Sequence, residues 1–129
     1  MLDSILRAPV AAPQQLHIPD GFLSAPVAIL AWIVTIAFMV VAVRRASREF
    51  DERLAPLMGV LAAFIFAAQA FNFPVAGGTS GHFLGGALAA ILLGPWPALL
   101  VMAAVIGLQG LIFQDGGLLA MGANIFVMG

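Results

Sequence analysis

Two histidines, His17 and His82, carry most of the chemistry this chain can offer, and each lies in a short stretch built to fix it. His17 opens His17-Ile18-Pro19-Asp20-Gly21-Phe22, where Pro19 and the Asp20-Gly21 pair predict a turn directly after the imidazole. His82 closes Asn72-Phe73-Pro74-Val75-Ala76-Gly77-Gly78-Thr79-Ser80-Gly81-His82, a glycine-rich turn with two hydroxyl side chains. Its glycines admit close backbone approach, and Thr79 or Ser80 can cap a following helix. The spacing therefore predicts that this loop delivers His82 to the start of a helix reaching Leu93. Imidazole is a borderline ligand suited to nickel, cobalt, copper and zinc, and an ionisable side chain in an apolar bundle is a functional candidate. Two blander readings stay open on the residues alone: a histidine that hydrogen-bonds between helices, and a His17 that is a surface loop residue. Asp20 and Asp115 read as turn formers before Gly21 and Gly116, with a proton carrier as the alternative for Asp115. Without a carboxylate cluster, a nucleophile-base pair or a phosphate loop, catalysis has little support.

The elements that must position these rings follow from composition. Of the 129 residues 63% are hydrophobic and only 9% charged, with mean hydropathy +1.11, against roughly 25% charged in soluble domains. Every charge except Asp115 precedes Leu54, so the second half has almost nothing to present to bulk water. The expected class is all-α, a polytopic transmembrane helix bundle with about five hydrophobic segments. Lysine and cysteine are absent and the net charge is −1, which excludes disulfides and thiolate sites and argues against nucleic-acid binding. Ala25 to Val43 is long enough to span a bilayer. Arg44, Arg45, Arg48, Glu49, Asp51, Glu52 and Arg53 form a charged connection, which the positive-inside tendency places in the cytoplasm. A second span, Leu54 to Phe71, returns to the outer side, with Gly59 and its alanines expected at close helix contacts. That count puts His17 and the 72–81 loop together on the external side. The third segment, Gly81 to Leu93, is too short to cross simply and requires protein around it. Gly94-Pro95-Trp96-Pro97 reads as a breaker, Ala98 to Phe113 as a fourth span, and Leu118 to Gly129 as a last run containing Asn124.

His17-Ile18-Pro19-Asp20-Gly21 and Phe73 to His82 resemble the two signature segments of the CbiM/NikM family, the membrane-embedded substrate-capture components of energy-coupling-factor importers for cobalt and nickel. Gln114-Asp115-Gly116-Gly117 and Gly122-Ala123-Asn124-Ile125-Phe126 match further, so the resemblance covers Leu16 to Gly129. Members are longer, and the absence of a polar tail after Gly129 leads to the expectation of a truncated end with helical partners missing. The domain expectation is 1–15 as an extension, untranslated or processed, and 16–129 as the transmembrane unit.

The resemblance implies a site. In this family the chain usually begins Met-His, and the ion is held by the terminal amine, the amide nitrogen and the imidazole of that histidine together with the later histidine. Those positions here are Leu16, His17 and His82, with Gln69, Asn72, Thr79 and Ser80 as candidate orienting groups. Four nitrogens in a square plane suit Ni(II) or Cu(II), and ligand deprotonation makes such binding fall with acidity. The chain departs from the pattern because Met1 to Gln15 stand before Leu16. Translation starting at Leu16, cleavage of the extension, or loss of that ligand each accounts for this, and the first is the expectation. Ala76 stands where proline is frequent, and Val127 where asparagine is common.

The implied function is capture of Co(II) or Ni(II) at the external face of the cell (plasma or inner) membrane. The implied partners are a transmembrane coupling protein, ATPase subunits and a small accessory membrane protein. No organic cofactor and no ATP hydrolysis by this chain are expected. The alternative is an accessory or structural membrane subunit without its own metal site.

Overall fold

The computed structural model describes residues 17–48, 51–75 and 79–129, with the backbone alone at 72, 74, 75, 79 and 80. Its elements are helix α1 (Ala25–Arg48), helix α2 (Leu54–Gln69), strands β1 (Asn72–Val75) and β2 (Thr79–His82), and helices α3 (Gly86–Leu93), α4 (Pro95–Ile112) and α5 (Met121–Met128).

The helical bundle is the architecture that the composition predicts. α1, with 24 residues, is about 36 Å long at 1.5 Å per residue, and α4, with 18, about 27 Å. Both are long and apolar enough to cross a membrane. α1 continues past Val43 through Arg44, Arg45 and Arg48, because alanine and arginine are good helix formers and no breaker intervenes. Its arginine end meets the start of α4, with the Arg45 guanidinium 6.0 Å from the Trp96 ring centre. Gly94, at φ +81°, breaks the chain between α3 and α4 as expected, but the next helix starts at Pro95 and not at Ala98. Pro95 and Pro97 sit in the first turn of α4, where the missing N–H is not needed.

α4 is the central helix. Val101, Met102, Val105, Ile106 and Gln109 are buried, at spacings that put them on one broad face. Leu61 and Ile65 of α2, Ala89 of α3, and Met121 and Ile125 of α5 complete that core. α5 also lies close on α1. A Cβ on Gly122 would stand 2.8 Å from the Trp32 Cα, and the buried Thr35 hydroxyl donates to the Gly122 carbonyl at 2.6 Å. Gly59, in contrast, faces open space among the described residues, with nothing within 4 Å of an added Cβ.

The segment from Gly81 to Leu93 differs most from expectation. Thr79 to His82 are strand, paired antiparallel with Asn72 to Val75 in the register Asn72↔His82 and Val75↔Thr79. The helix begins only at Gly86, after Gly85 at φ +86°, so neither Thr79 nor Ser80 caps it. His82 ends a strand and does not begin a helix. α3 and α5 have eight residues each, about 12 Å or less than half of a bilayer. They meet end to end, Gly86 of α3 facing the Met128 carbonyl. Elements too short to cross a bilayer need protein around them, and α4 packs against both.

Asp20 does more than form its turn. Phe22 N–H closes that turn on the Pro19 carbonyl at 3.3 Å, while the Asp20 carboxylate accepts from the backbone N–H groups of Leu118, Leu119 and Ala120 at 3.1, 2.8 and 3.2 Å. It thus caps the turn that leads into α5, nearly a hundred residues away. Asp20→Ala is expected to lower stability by about 1–2 kcal/mol, as for loss of a helix cap. Asp20→Asn, which keeps acceptor oxygen, should lose less. Thermal unfolding of both variants in detergent checks this ordering.

Candidate metal centre

No helix or strand holds His17, so contacts from the end of the chain set its place. Asn124, buried on α5, closes on the next residue from both sides: Ile18 N–H donates to Asn124 Oδ1 at 2.9 Å, and Asn124 Nδ2 donates to the Ile18 carbonyl at 3.1 Å. Gly117 N–H reaches the same carbonyl at 3.0 Å. His82 is fixed from behind in a parallel way. Gln69, fully buried at the end of α2, donates through Nε2 to the Leu84 carbonyl at 2.6 Å. Its Oε1 accepts from Gln109 Nε2 of α4 at 2.9 Å. A carboxamide therefore stands behind each histidine and pins backbone one or two residues beyond it.

The two rings meet. Their centres are 5.9 Å apart and their planes inclined by 68°, although 65 positions separate them in the chain. Two nitrogens each about 2 Å from one ion stand at most about 4 Å apart, with ring centres about 6 Å apart, so the pair lies within the reach of a single ion. His17 is buried, and its Nδ1 lies 3.3 Å from Asp115 Oδ2. A carboxylate oxygen thus faces the ring. Both His17 ring nitrogens are closed off from solvent with no hydrogen-bond partner among the described residues. Burial pushes the His17 imidazole below its ordinary pKa; Asp115 pulls it part of the way back and His82 adds to the depression. A neutral imidazole with an unused lone pair is the form a metal ion takes. His82 Nδ1 lies 3.1 Å from the Phe83 carbonyl. The tautomer protonated at Nδ1 satisfies that oxygen and leaves Nε2 with its lone pair.

Two imidazoles fill only part of a coordination sphere. Among the described residues no three His, Cys, Asp or Glu side chains gather at one point. Leu16 lies outside the described residues, as do the side chains of Asn72, Thr79 and Ser80. Gln69 is at the site, but it holds the backbone behind His82 and spends both ends of its amide there. Asn124, Gln109 and Asp115 are the residues that sequence reasoning passed over in this role. For the two amides a signal existed, since a polar side chain inside an apolar segment needs a partner. Gln69→Leu strips the partner from both the Gln109 donor and the Leu84 carbonyl. It is expected to cost about 1–3 kcal/mol, measurable as a lower unfolding temperature of the ion-free protein.

The family model described as "Cobalt uptake substrate-specific transmembrane region" (CbiM) matches residues 17–129. A protein of Haloquadratum walsbyi named for metal transport is 51% identical over 113 residues, covering 88% of this chain and 52% of that protein. The fused nickel transport protein NikMN of Rhodobacter capsulatus is 39% identical over the same share of this chain and 33% of its own length. A crystal structure of a truncated transition metal transporter superposes with a TM-score of 0.80 at 38% identity, over 88% of this chain and 53% of that one. The chain thus spans about a third to a half of the length of these relatives.

Proposed function

Because the chain belongs to the CbiM family, we propose that it captures Co(II) or Ni(II) for import and that His17 and His82 hold the ion together. The observation that carries this reading is the approach of the two rings to 5.9 Å, with both His17 nitrogens buried and without a hydrogen-bond partner among the described residues. Leu16 is the further donor that the family resemblance implies, through its nitrogen if the mature chain starts there. Residues 16–129 then form the transmembrane unit, with 1–15 as an extension outside it. The arginines Arg44, Arg45 and Arg48 lie at the end of α1 away from the histidines, which favours an external ion site and a cytoplasmic arginine end. The chain takes the ion and a coupling protein with ATPase subunits supplies the energy, in the manner of energy-coupling-factor importers; no hydrolysis falls to this chain. Nickel and cobalt uptake by cells expressing the importer tests the proposal. Loss of uptake in His17→Ala and His82→Ala at normal membrane abundance supports it. Unchanged uptake returns the chain to the reading of a structural subunit.

A further inference from the structure

We infer that Asn124 is a positioning residue for the ion: its carboxamide clamp on Ile18 sets where the His17 ring stands relative to His82. The inference rests on the two-histidine site proposed above. His17 belongs to no regular element, so no helix or strand ladder among the described residues sets where the ring stands. Its attachment is set by the next residue, whose N–H and C=O are both taken by one side chain at 2.9 and 3.1 Å, while the ring itself lies 3.3 Å from the Asp115 carboxylate. A carboxamide is suited to this because it offers a donor and an acceptor side by side in one plane. Asn124 is only 4% exposed, so water does not compete for either bond.

Space around the clamp is equally restricted. A Cβ on Gly116 would stand 2.7 Å from the His17 Cβ and 3.1 Å from Asn124 Nδ2. The histidine and the amide therefore share one tight contact with the 113–120 turn. The clamp fixes the ring's attachment without engaging either ring nitrogen, of which Nδ1 faces Asp115. A side chain whose task was simply to tie α5 to the N-terminal segment could bind any backbone group there; this one binds the residue next to the ligand.

Groups orienting a metal-bound histidine typically change affinity 10–100-fold when removed. Asn124→Leu, which loses both bonds, and Asn124→Asp, which keeps the acceptor and loses the donor, are expected to weaken binding by that factor. Thr35→Val is the comparison, because it removes a buried bond between α1 and the same helix α5 without touching the His17 segment. Calorimetric titration of the purified full chain with NiCl2, together with the visible absorption of bound Co(II), provides the readouts. The expected result is a 10–100-fold loss and altered Co(II) bands in both Asn124 variants, with Thr35→Val binding like the wild type. Wild-type affinity and bands in the Asn124 variants, while His82→Ala binds weakly, overturn this inference and leave the ion site standing. An equal loss in Thr35→Val also overturns it, since general loosening of α5 then suffices. A wild type that binds no better than His82→Ala removes the two-histidine reading, and the inference with it.

Discussion

His82→Ala is expected to lower the affinity of the full chain for Ni(II) and Co(II) by at least about a hundredfold, beyond what loss of an orienting group alone produces. The side chain is well placed for a clean test. It is partly exposed at the end of β2; among the described residues it makes an edge approach to His17 and meets the neighbouring Phe83 carbonyl. Truncation removes a nitrogen donor and leaves the buried core around α4 untouched, so the ion-free protein should unfold at nearly the wild-type temperature. His17→Ala should be as damaging to binding but is harder to interpret, because His17 is buried and its loss also leaves a cavity. Titration of His82→Ala beside an unfolding curve separates the two effects. Unchanged affinity with unchanged stability would mean that the imidazole pair does not hold the ion.

Why the histidines could be singled out from sequence, and their supports could not, comes down to how far each residue's cause lies from it. An imidazole amid hydrocarbon is visible wherever the chain goes, and an out-and-back pair of apolar helices on either side of the arginine connection suffices to bring His17 and His82 to one end of the bundle. α1 and α4 were legible as spans from apolar length, whereas α2, expected to span over Leu54 to Phe71, has 16 residues and falls short of that length. Their ends were less so: α1 runs on to Arg48 because charge alone does not stop a helix, and α4 starts at Pro95 because proline is tolerated in a first turn. The 79–82 strand shows no alternation of apolar and polar residues. It exists by pairing with 72–75, and a Gly-Thr-Ser-Gly run gives no local sign of that. Asn124 is the clearest case of a hidden role. Its partner Ile18 is 106 positions away, and nothing around Asn124 in the chain names it. Asp20 likewise betrays its turn but not the three amides it accepts from.

Gly116→Ala is expected to impair both stability and ion binding, the second by tens of fold. Gly116 has φ +94°, a conformation in which an L side chain is strained by about 1–3 kcal/mol. The added methyl would also stand 2.7 Å from the His17 Cβ. That neighbour is not the free end of a flexible chain, because Cβ moves only if the backbone of His17 moves. The backbone beyond it is fixed by Asn124 and Gly117. Relief therefore requires the imidazole to leave its place beside His82 or the turn to withdraw with Asp115, and either change opens the site. Strain alone is controlled by Gly94→Ala. Gly94 has φ +81° and ψ 167°, so alanine is strained there too, yet its Cβ would meet nothing within 4 Å. Gly94→Ala should unfold at a lower temperature and titrate with Ni(II) as the wild type does. If instead the two alanine variants lose the same stability and the same affinity, close packing of residue 116 against His17 does not shape the site. If only Gly116→Ala loses affinity, the turn at 113–120 is part of the wall that holds the first histidine in position.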